Sequence, residues 1–401
     1  MTDSFETLGR RQDPDRFGPY QVVEKIASGG MAEIYKARHV DRPHHLVALK
    51  CIRPDCDDDT EFRHMLMDEA KIASRLHHPN INRVLEVVED GERMGLILQY
   101  VDGLDLNRLK RTFKDRDEGF PIELAIHIIR EVLKGLDYAH DAKDERGEYL
   151  NVVHRDISPG NVMIDGRGRV LLVDFGIARA QNRLAKTEAG NVKGKFRYMA
   201  PEQIKGDQVS PRTDVYATAV LLWELLAGKR IYDDVSVAQL MIRVANAHVP
   251  SLDDARPGLP RALHKVFQRA TAVMPDDRYA SARAFADALD GVLSQLDVTR
   301  CQRELARLVQ EARARDGKAR FDQAVARARY AAEHDLEDAI LSALEQPDRV
   351  ERVQAVVVQK AEAHREAMIR EAVEPTEPPT MPMGTSVRPR RSTPPPLPVT
   401  P

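Results

Sequence analysis

Cysteine is scarce in this sequence, which has three cysteines, Cys51, Cys56 and Cys301, in 401 residues. Thiols so few and so unevenly spaced cannot form the disulfide framework of a secreted domain, so we expect a reducing compartment, by default the cytoplasm. No Cys-x-x-Cys pair follows Cys51 and Cys56, and we therefore expect structural or surface thiols rather than a zinc site.

Long hydrophobic runs are also missing. The most apolar segment, residues 217–227, is interrupted by Glu224 and is much shorter than the roughly 20 residues that cross a bilayer, so it predicts a buried helix. The leader, residues 1–18, is polar and acidic and lacks the apolar stretch of a signal peptide. The sequence therefore predicts neither export nor a membrane span.

Neither sign of charge dominates, because 60 Lys and Arg residues face 63 Asp and Glu residues and the net charge is −3. The chain therefore has no overall basic field for nucleic acid. In the basic stretch 300–332 acidic residues alternate with the Arg residues, which favours a solvated or protein-binding helical face. We expect no nucleic-acid partner.

Composition divides the chain into four zones. After the leader 1–18, residues 19–293 mix β-branched runs with amphipathic segments and form the expected globular domain. Residues 296–373 are rich in Arg, Ala and Glu and predict a helical appendage of three segments. Residues 374–401 are dense in proline and predict a disordered tail without a packed core.

Within the globular domain the strand-like runs come first and the helical patterns follow. This order predicts an α+β fold with a small β-rich lobe joined to a larger helical lobe. Strands are expected near residues 20–27, 33–40, 45–53, 85–90 and 94–100, with one helix near 58–76.

A glycine-bearing loop separates the first two predicted strands and reads I-A-S-G-G-M-A-E-I-Y. Gly29 and Gly30 would let backbone amides approach a phosphate without an intervening Cβ. Ala27 and Ala32 stand where a glycine-rich phosphate loop has further glycines, so taken alone the loop is better explained by an ordinary hairpin turn.

A lysine and a glutamate downstream add to that signal. Lys50 ends V-A-L-K on a predicted strand, where its ammonium could reach the α- and β-phosphates of a nucleotide. Glu69, on the predicted helix, is the candidate carboxylate that would steady it. Each alone is more simply a surface charge, but their order and spacing favour a functional pair.

The strongest signal is V-V-H-R-D-I-S-P-G-N-V followed by V-L-L-V-D-F-G and, further on, by Ala-Pro-Glu at 200–202. In phosphoryl transfer Asp156 would orient the acceptor hydroxyl and take its proton. Asn161 and Asp174 would hold the metal. Either motif alone could occur by chance, whereas both in this order are specific.

On these residues, 19–293 resembles the protein kinase catalytic domain, most closely that of bacterial, eukaryote-like Ser/Thr kinases. The resemblance implies a two-lobed protein kinase fold. It also implies an enzyme of bacterial signalling that transfers the γ-phosphate of Mg-ATP to Ser and Thr hydroxyls of proteins and of the chain itself, with Mn²⁺ as the alternative ion. Protein substrates are the implied partners.

The resemblance also implies a nucleotide-binding set. Gln99, Tyr100 and Val101 match the hinge that meets adenine, and Asp105 matches the carboxylate near the ribose. Leu98 matches the gatekeeper, although a core role fits it equally well. The remaining members are Ile26, Ala27, Ser28, Gly29, Gly30, Ile34, Ala48, Lys50 and Asn161.

Further matches imply structural roles. Asp214 resembles the buried aspartate that ties down the catalytic loop. Glu202 and Arg278 match an ion pair that locks the activation segment, and His154 and Phe175 match packed spine residues.

The sequence departs from the family at two positions. Ser158 stands where a lysine usually contacts the γ-phosphate, and Lys195 stands where a threonine usually meets the catalytic aspartate. We hypothesise an exchange in which Lys195 supplies the cation and Ser158 supplies the hydroxyl that orients Asp156. The competing explanation is drift in a weakened enzyme.

Regulation is expected in the segment between Asp174 and Glu202. Thr187 is the candidate autophosphorylation site, with a plain loop threonine as the equally weighted alternative, and Arg155 is the residue type that would pair with its phosphate. Tyr198 is expected to pack. In the tail, Thr376, Thr380, Ser392 and Thr393 with the nearby prolines suggest a docking segment for phosphothreonine or proline-motif readers, or a passive linker.

Two other classes of function are compatible with parts of the sequence. A pseudokinase or scaffold would explain the missing glycines and the Ser158 and Lys195 departures. A chain freed from catalysis would, however, be expected to lose some of the catalytic set, which is complete here: Lys50, Glu69, Asp156, Asn161 and Asp174. A small-molecule kinase fits poorly, because a full activation segment builds a protein-binding platform.

Overall fold

The computed structural model describes residues 16–28, 32–52, 67, 70–91, 93–114, 119–175, 196–232, 235–293 and 297–316. The chain separates into two units, Met1–Arg315 and Asp316–Pro401. The description below concerns the first unit.

A six-stranded antiparallel sheet forms the amino-terminal part of this unit, with the strand order β1-β2-β3-β4-β6-β5. All five strands expected from the sequence are present, and a two-residue strand precedes them. The strands are β1 Arg16–Phe17, β2 Tyr20–Ser28, β3 Ala32–His39, β4 Arg42–Ile52, β5 Val84–Asp90 and β6 Arg93–Gln99.

The two faces of this sheet carry separate apolar clusters, because successive side chains of a strand point to opposite faces. Val47 and Leu49 of β4 pack with Phe17 on one face. Ile52 of β4 packs with Leu98 on the other face, which is also covered by the short described helix α1, residues 70–74. By this alternation Lys50 lies on the same face as Ile52, facing α1 and the cleft.

A small antiparallel sheet links the two parts of the unit and consists of β7 Gly103–Asp105, β8 Val162–Asp165 and β9 Val170–Leu172, in that order. Leu172 also forms a parallel bridge with Ile81. Strand β7 directly follows the chain segment that leaves the large sheet, so this small sheet is fixed to the crossover between the lobes.

The rest of the unit is helical. Its described helices are α2 Leu106–Lys114, α3 Ile122–His140, α4 Pro201–Lys205, α5 Pro211–Ala227, α6 Val237–Ala245, α7 Leu252–Ala255, α8 Arg261–Ala270, α9 Ala282–Asp290 and α10, residues 298–316.

Helix α5 is the buried helix predicted from residues 217–227. It begins after Ser210, whose hydroxyl accepts the amide of Arg212, and it ends at Gly228, whose φ of 67° a glycine adopts without strain. Its residues are buried on every side, as expected of a helix at the centre of a lobe. Among the residues that the structure describes, no helix combines the length and the apolar composition needed to cross a membrane.

Candidate active site

The hairpin β8–β9 brings Asn161 and Asp174 to the same end of the small sheet. Asn161 closes the 3₁₀ turn Pro159–Asn161 just before β8, and Asp174 lies two residues after β9. The amide of Val173 donates to the carbonyl oxygen of Asn161 at 3.0 Å, which ties the two chain segments together. Residues thirteen positions apart in sequence are therefore neighbours because of the hairpin.

Lys50 completes this group from the other lobe. Its Nζ lies 2.8 Å from Oδ1 of Asp174, and the two side chains are 7% and 22% exposed. Charges so far out of water are stable only when paired, and a charged hydrogen bond of this length is among the stronger kinds. The contact brings together Lys50 and Asp174, two of the residues predicted to form the site.

Asp156 lies beside Asn161. The Nδ2 of Asn161 donates to the backbone carbonyl of Asp156 at 2.7 Å, which leaves the amide oxygen of Asn161 as its remaining acceptor. Ser158 precedes the same turn in extended conformation, and its carbonyl accepts the amide of Asn161 at 3.0 Å. Asp156, Ser158 and Asn161 thus belong to one tightly bonded loop.

Asp214 is fully buried at the start of α5, and its carboxylate binds the backbone of this loop. Its carboxylate accepts the backbone amides of His154 and Arg155, each at 2.8 Å, and contacts Nε2 of His140 at 2.8 Å. Burial raises the pKa of Asp214, but the hydrogen bond and charge of His140 outweigh it and the net shift is downward. Arg155 has a φ of 66°, in the left-handed region, which costs free energy for a residue other than glycine. The hydrogen bonds from the loop to Asp214 hold Arg155 in this conformation.

Arg278 and Glu202 form a second buried ion pair. Nη1 and Nη2 of Arg278 meet the two carboxylate oxygens of Glu202 at 2.7 and 2.8 Å, and Thr213 donates to the same carboxylate. Burial by itself would raise the pKa of the Glu202 carboxyl. The hydrogen bonds and the charge of Arg278 have the larger effect, so the net shift of this pKa is downward. The neighbouring Gln203 donates to the carbonyl of Arg155 at 2.9 Å, which connects α4 to the loop of Asp156.

The packed residues also agree with their predicted surroundings. His154 is fully buried, and its ring lies 4.6 Å from that of Phe175 in an edge-on contact. The hydroxyl of Tyr198 donates to Glu224 at 2.7 Å, and burial raises the pKa of this phenol well above its ordinary range. Tyr198 therefore packs, as the sequence predicted.

The crossover segment, residues 100–102, connects β6 to β7. Leu98 is 9% exposed, and its strand neighbour Ala48 lies directly opposite on β4. Gln99 and Val101 are half-buried, and Oδ1 of Asp105 accepts the amide of Arg108 at the start of α2. Leu98 lines a cavity of about 20 Å³ with Ala70, Ala73, Ile81, Asn82, Val84, Leu96, Asp174 and Phe175.

The strands that flank the glycine-bearing loop are more exposed. Ala27 pairs with Ile34 and Ser28 with Glu33, so the loop between them is the connection of a hairpin. Ile26 is 48% exposed. Five predicted site residues lie outside the described residues: Gly29, Gly30, Glu69, Thr187 and Lys195.

The donor set suits a hard divalent cation. An amide oxygen and a carboxylate are the ligands that Mg²⁺ takes when substrate phosphates and waters supply the rest of its octahedral shell. Asn161 and Asp174 offer these two groups on the two arms of one hairpin. Among the described residues no cluster of three or more His, Cys, Asp or Glu side chains could hold a metal.

Sequence reasoning missed several residues that support the site. His140 and Gln203 have no motif of their own, and their contacts with Asp214 and Arg155 arise from tertiary packing.

Burial raises the pKa of the Cys51 thiol, beside Lys50, to about 12, so this thiol stays protonated at neutral pH.

Comparison with known proteins identifies one family match and several similar proteins. The protein kinase domain family matches residues 20–304. The chain is 37% identical over 281 residues to the tyrosine-protein kinase MasK of Myxococcus xanthus, covering 70% of this chain and 44% of that protein. It is 34% identical over 295 residues to the serine/threonine-protein kinase PknD of Mycobacterium tuberculosis, covering 73% and 42%.

Among solved structures, the kinase domain of PknI from Mycobacterium tuberculosis superposes with a TM-score of 0.54 at 33% identity. The match covers 70% of this chain and 97% of that one. The serine/threonine-protein kinase PrkC of Bacillus subtilis is 33% identical over 267 residues, covering 66% of this chain and 39% of that protein. The chain thus spans less than half the length of these curated relatives.

Proposed function

The chain belongs to the protein kinase family, and we propose that it is an active kinase that transfers the γ-phosphoryl group of ATP to Ser and Thr hydroxyls of proteins, itself included. Members of this family use ATP and a divalent metal, and act on proteins. That the metal is Mg²⁺ here, with Mn²⁺ as a substitute, is part of the proposal.

One observation carries it: the buried contact of Lys50 with Asp174 at 2.8 Å, at the end of a hairpin whose other arm carries Asn161 beside Asp156. A scaffold freed from catalysis has no reason to keep a cation and a carboxylate buried at a cleft, since burying charge costs free energy. The arrangement therefore supports catalysis over the pseudokinase alternative.

In the proposed reaction each side chain has a distinct task. Lys50 binds the α- and β-phosphates, and Asp174 and Asn161 hold the metal, which when bound neutralises charge on the phosphates. The Asp156 carboxylate orients the acceptor hydroxyl and takes its proton, while the backbone amides bonded to Asp214 keep that loop in position. Leu98, Gln99, Val101 and Asp105 would meet the nucleoside.

The exchange of Ser158 and Lys195 remains part of the proposal. Ser158 lies in the loop of Asp156, two residues beyond it, and we propose that its hydroxyl orients that carboxylate. Lys195→Ala should lower the rate of γ-phosphate transfer by about 10- to 1000-fold if this ammonium screens the transferring phosphate. An unchanged rate would refute the exchange and favour drift.

The acceptor is proposed to be Ser or Thr because PknD and PrkC are named serine/threonine kinases. MasK, which is named a tyrosine kinase, makes Tyr the second candidate. Thr187 is the proposed autophosphorylation site, and Thr376, Thr380, Ser392 and Thr393 are proposed to become docking sites for phosphothreonine or proline-motif readers. Peptide mapping of protein incubated with ATP tests both, and phosphate found only at other positions would refute them.

The decisive experiment incubates the full chain with Mg²⁺ and γ-labelled ATP, alone and with generic protein acceptors, followed by analysis of the phosphorylated amino acid. Asp156→Asn is compared in parallel, and we expect it to lower transfer by about 10²- to 10⁴-fold, as for loss of a positioned base. Equal label in both proteins, or none in either, would refute the proposed function.

A further inference from the structure

Helix α10 belongs to the same compact unit as the predicted active site. Its buried side chains recur at three- and four-residue intervals along one face of the helix, as in an amphipathic helix docked on a core. These are Cys301, Leu305, Leu308, Val309 and Ala312, each at most 5% exposed. All five belong to the main apolar cluster of the helical lobe.

The backbone of α10 lies directly on the turn between β8 and β9. A Cβ atom at Gly168 would be 1.9 Å from the carbonyl oxygen of Gln302 and 3.0 Å from the amide nitrogen of Ala306, so only glycine permits this approach. Gly168 also has a φ of 79°, which other residues rarely adopt. The turn is therefore shaped to receive the helix.

The same turn is bonded to the crossover segment. The amide of Gly166 donates to the carbonyl oxygen of Asp102 at 2.9 Å. The two strands that leave the turn run to Asn161 and Asp174 at their far ends. Contact of α10 with this turn thus reaches the crossover through the hydrogen bond between Gly166 and Asp102.

At its other end α10 contacts the crossover directly. Nη2 of Arg313 lies 2.5 Å from Oδ1 of Asp102, and Nη1 lies 3.3 Å from Oδ2, a two-point contact between guanidinium and carboxylate. Asp102 immediately follows residues 99–101, which are proposed to meet adenine. The pKa of Tyr100 in that segment is raised by burial and by the charge of Asp102, and Arg313 acts in the opposite direction.

We propose that Arg313 is a positioning residue for nucleotide binding. Its contact with Asp102 connects α10 to the crossover and holds the crossover in the conformation that receives adenine. The inference rests on the proposed function for the identity of the ligand. A mobile crossover would bind ATP in a fraction of its conformations, and the apparent Kd would rise in proportion. The transfer step, whose residues α10 does not touch, would be unaffected.

The test uses the full chain with Arg313→Ala. Because the pair is partly exposed, we expect a modest effect, a rise of about two- to fivefold in the KM for ATP with kcat unchanged. The matched control is Arg307→Ala on the same helix. Arg307 pairs with Glu304 and Glu311 of α10 itself, so its loss should leave KM unchanged.

A double-mutant cycle separates the contact from general destabilisation. Asp102→Ala should raise KM as Arg313→Ala does, and the double variant should be no worse than either single variant, because both remove the same contact. The reversed pair, Asp102→Arg with Arg313→Asp, should restore KM. Additive effects, no rescue, or an equal rise in Arg307→Ala would overturn the proposal.

Binding of a fluorescent ATP analogue, measured on the same variants, keeps the two proposals distinguishable. If the wild-type chain transfers no phosphate, the proposed function fails, but the inference about Arg313 is still decided by the Kd of the analogue. The difference between wild type and Arg313→Ala should shrink at high salt, since exposed ion pairs are screened. A salt-independent difference would count against the contact as its cause.

Discussion

At the residue scale, two of the buried cations that the structure describes are each paired with a carboxylate. Lys50 is buried against Asp174, and Arg278 against Glu202, and both pairs join segments far apart in sequence. Such pairs add little net stability compared with apolar residues of the same size, but the loss of one member is costly. We propose a functional role for the pair of Lys50 and Asp174 and a structural role for the pair of Arg278 and Glu202.

Replacing Lys50 should impair the transfer of the γ-phosphate. In Lys50→Met the nucleotide phosphates lose their cation, and we expect the rate of γ-phosphate transfer to fall by about 10²- to 10³-fold. Lys134→Met is the matched control, because Lys134 also forms an ion pair but on the exposed side of α3. A steady-state assay at saturating acceptor measures both. Similar losses in the two variants would contradict the assignment of Lys50.

At the element scale, short segments gain their conformation from buried side chains of neighbouring helices. The loop that carries Asp156 has almost no regular structure, yet α5 binds its backbone through Asp214 and α4 through Gln203. Helix α4 is in turn fixed by Glu202 and Arg278. The catalytic loop and the end of the activation segment are thereby held by one set of buried polar contacts.

Breaking the Glu202–Arg278 pair should destabilise the fold. Arg278→Ala leaves a buried carboxylate without its cation, and we expect the free energy of unfolding to fall by about 3–5 kcal/mol. Urea denaturation measures the change. Arg283→Ala serves as the control, because Arg283 pairs with Asp137 while 73% exposed and should contribute little. A loss under about 1 kcal/mol in Arg278→Ala would contradict the expectation.

The same pair predicts a pH dependence. The pKa of Glu202 is lowered in the folded protein, so its contribution to stability is fully present above the ordinary glutamate pKa of about 4.3 and is lost as the pH falls through the folded value. The free energy of unfolding of the wild type should therefore decline below about pH 4.3. The decline should be shallower in Arg278→Ala. Parallel pH profiles for the two proteins would contradict this reading.

At the scale of the whole molecule, α10 extends the folded body beyond the predicted kinase domain 19–293. The family match ends at residue 304, and the compact unit at Arg315, so the first helical segment of the predicted appendage packs with the catalytic body. We propose that residues 298–316 belong functionally to that body. The remaining appendage and the tail lie outside the described residues.

Truncations test this boundary. A chain that ends at residue 316 should keep the Tm and the ATP affinity of the full chain. A chain that ends at residue 296 should lose several kcal/mol of stability, because each fully buried Leu or Val side chain contributes about 1.5–3 kcal/mol and Leu305, Leu308 and Val309 would all be removed. Thermal unfolding measures the difference. Equal Tm values for the two truncations would show that α10 is dispensable.

Much of this protein could be predicted from local patterns. The strands of the large sheet and the buried helix α5 were predicted because strand alternation and a continuous apolar run act within a few residues. Asp156, Asn161 and Asp174 were identified because the chemistry of phosphoryl transfer restricts the residue types that surround them.

Long-range contacts were decided only by the tertiary structure. The sequence named Lys50 and Asp174 but not the 2.8 Å contact that joins them across 124 positions. It offered no signal for the support of Asp214 by His140, or for Arg313 on Asp102, because ordinary His, Arg and Asp residues acquire these roles only when separate helices pack together. Local patterns are read along the chain, whereas the partners of a buried or bridging charge depend on which elements the apolar core brings into contact.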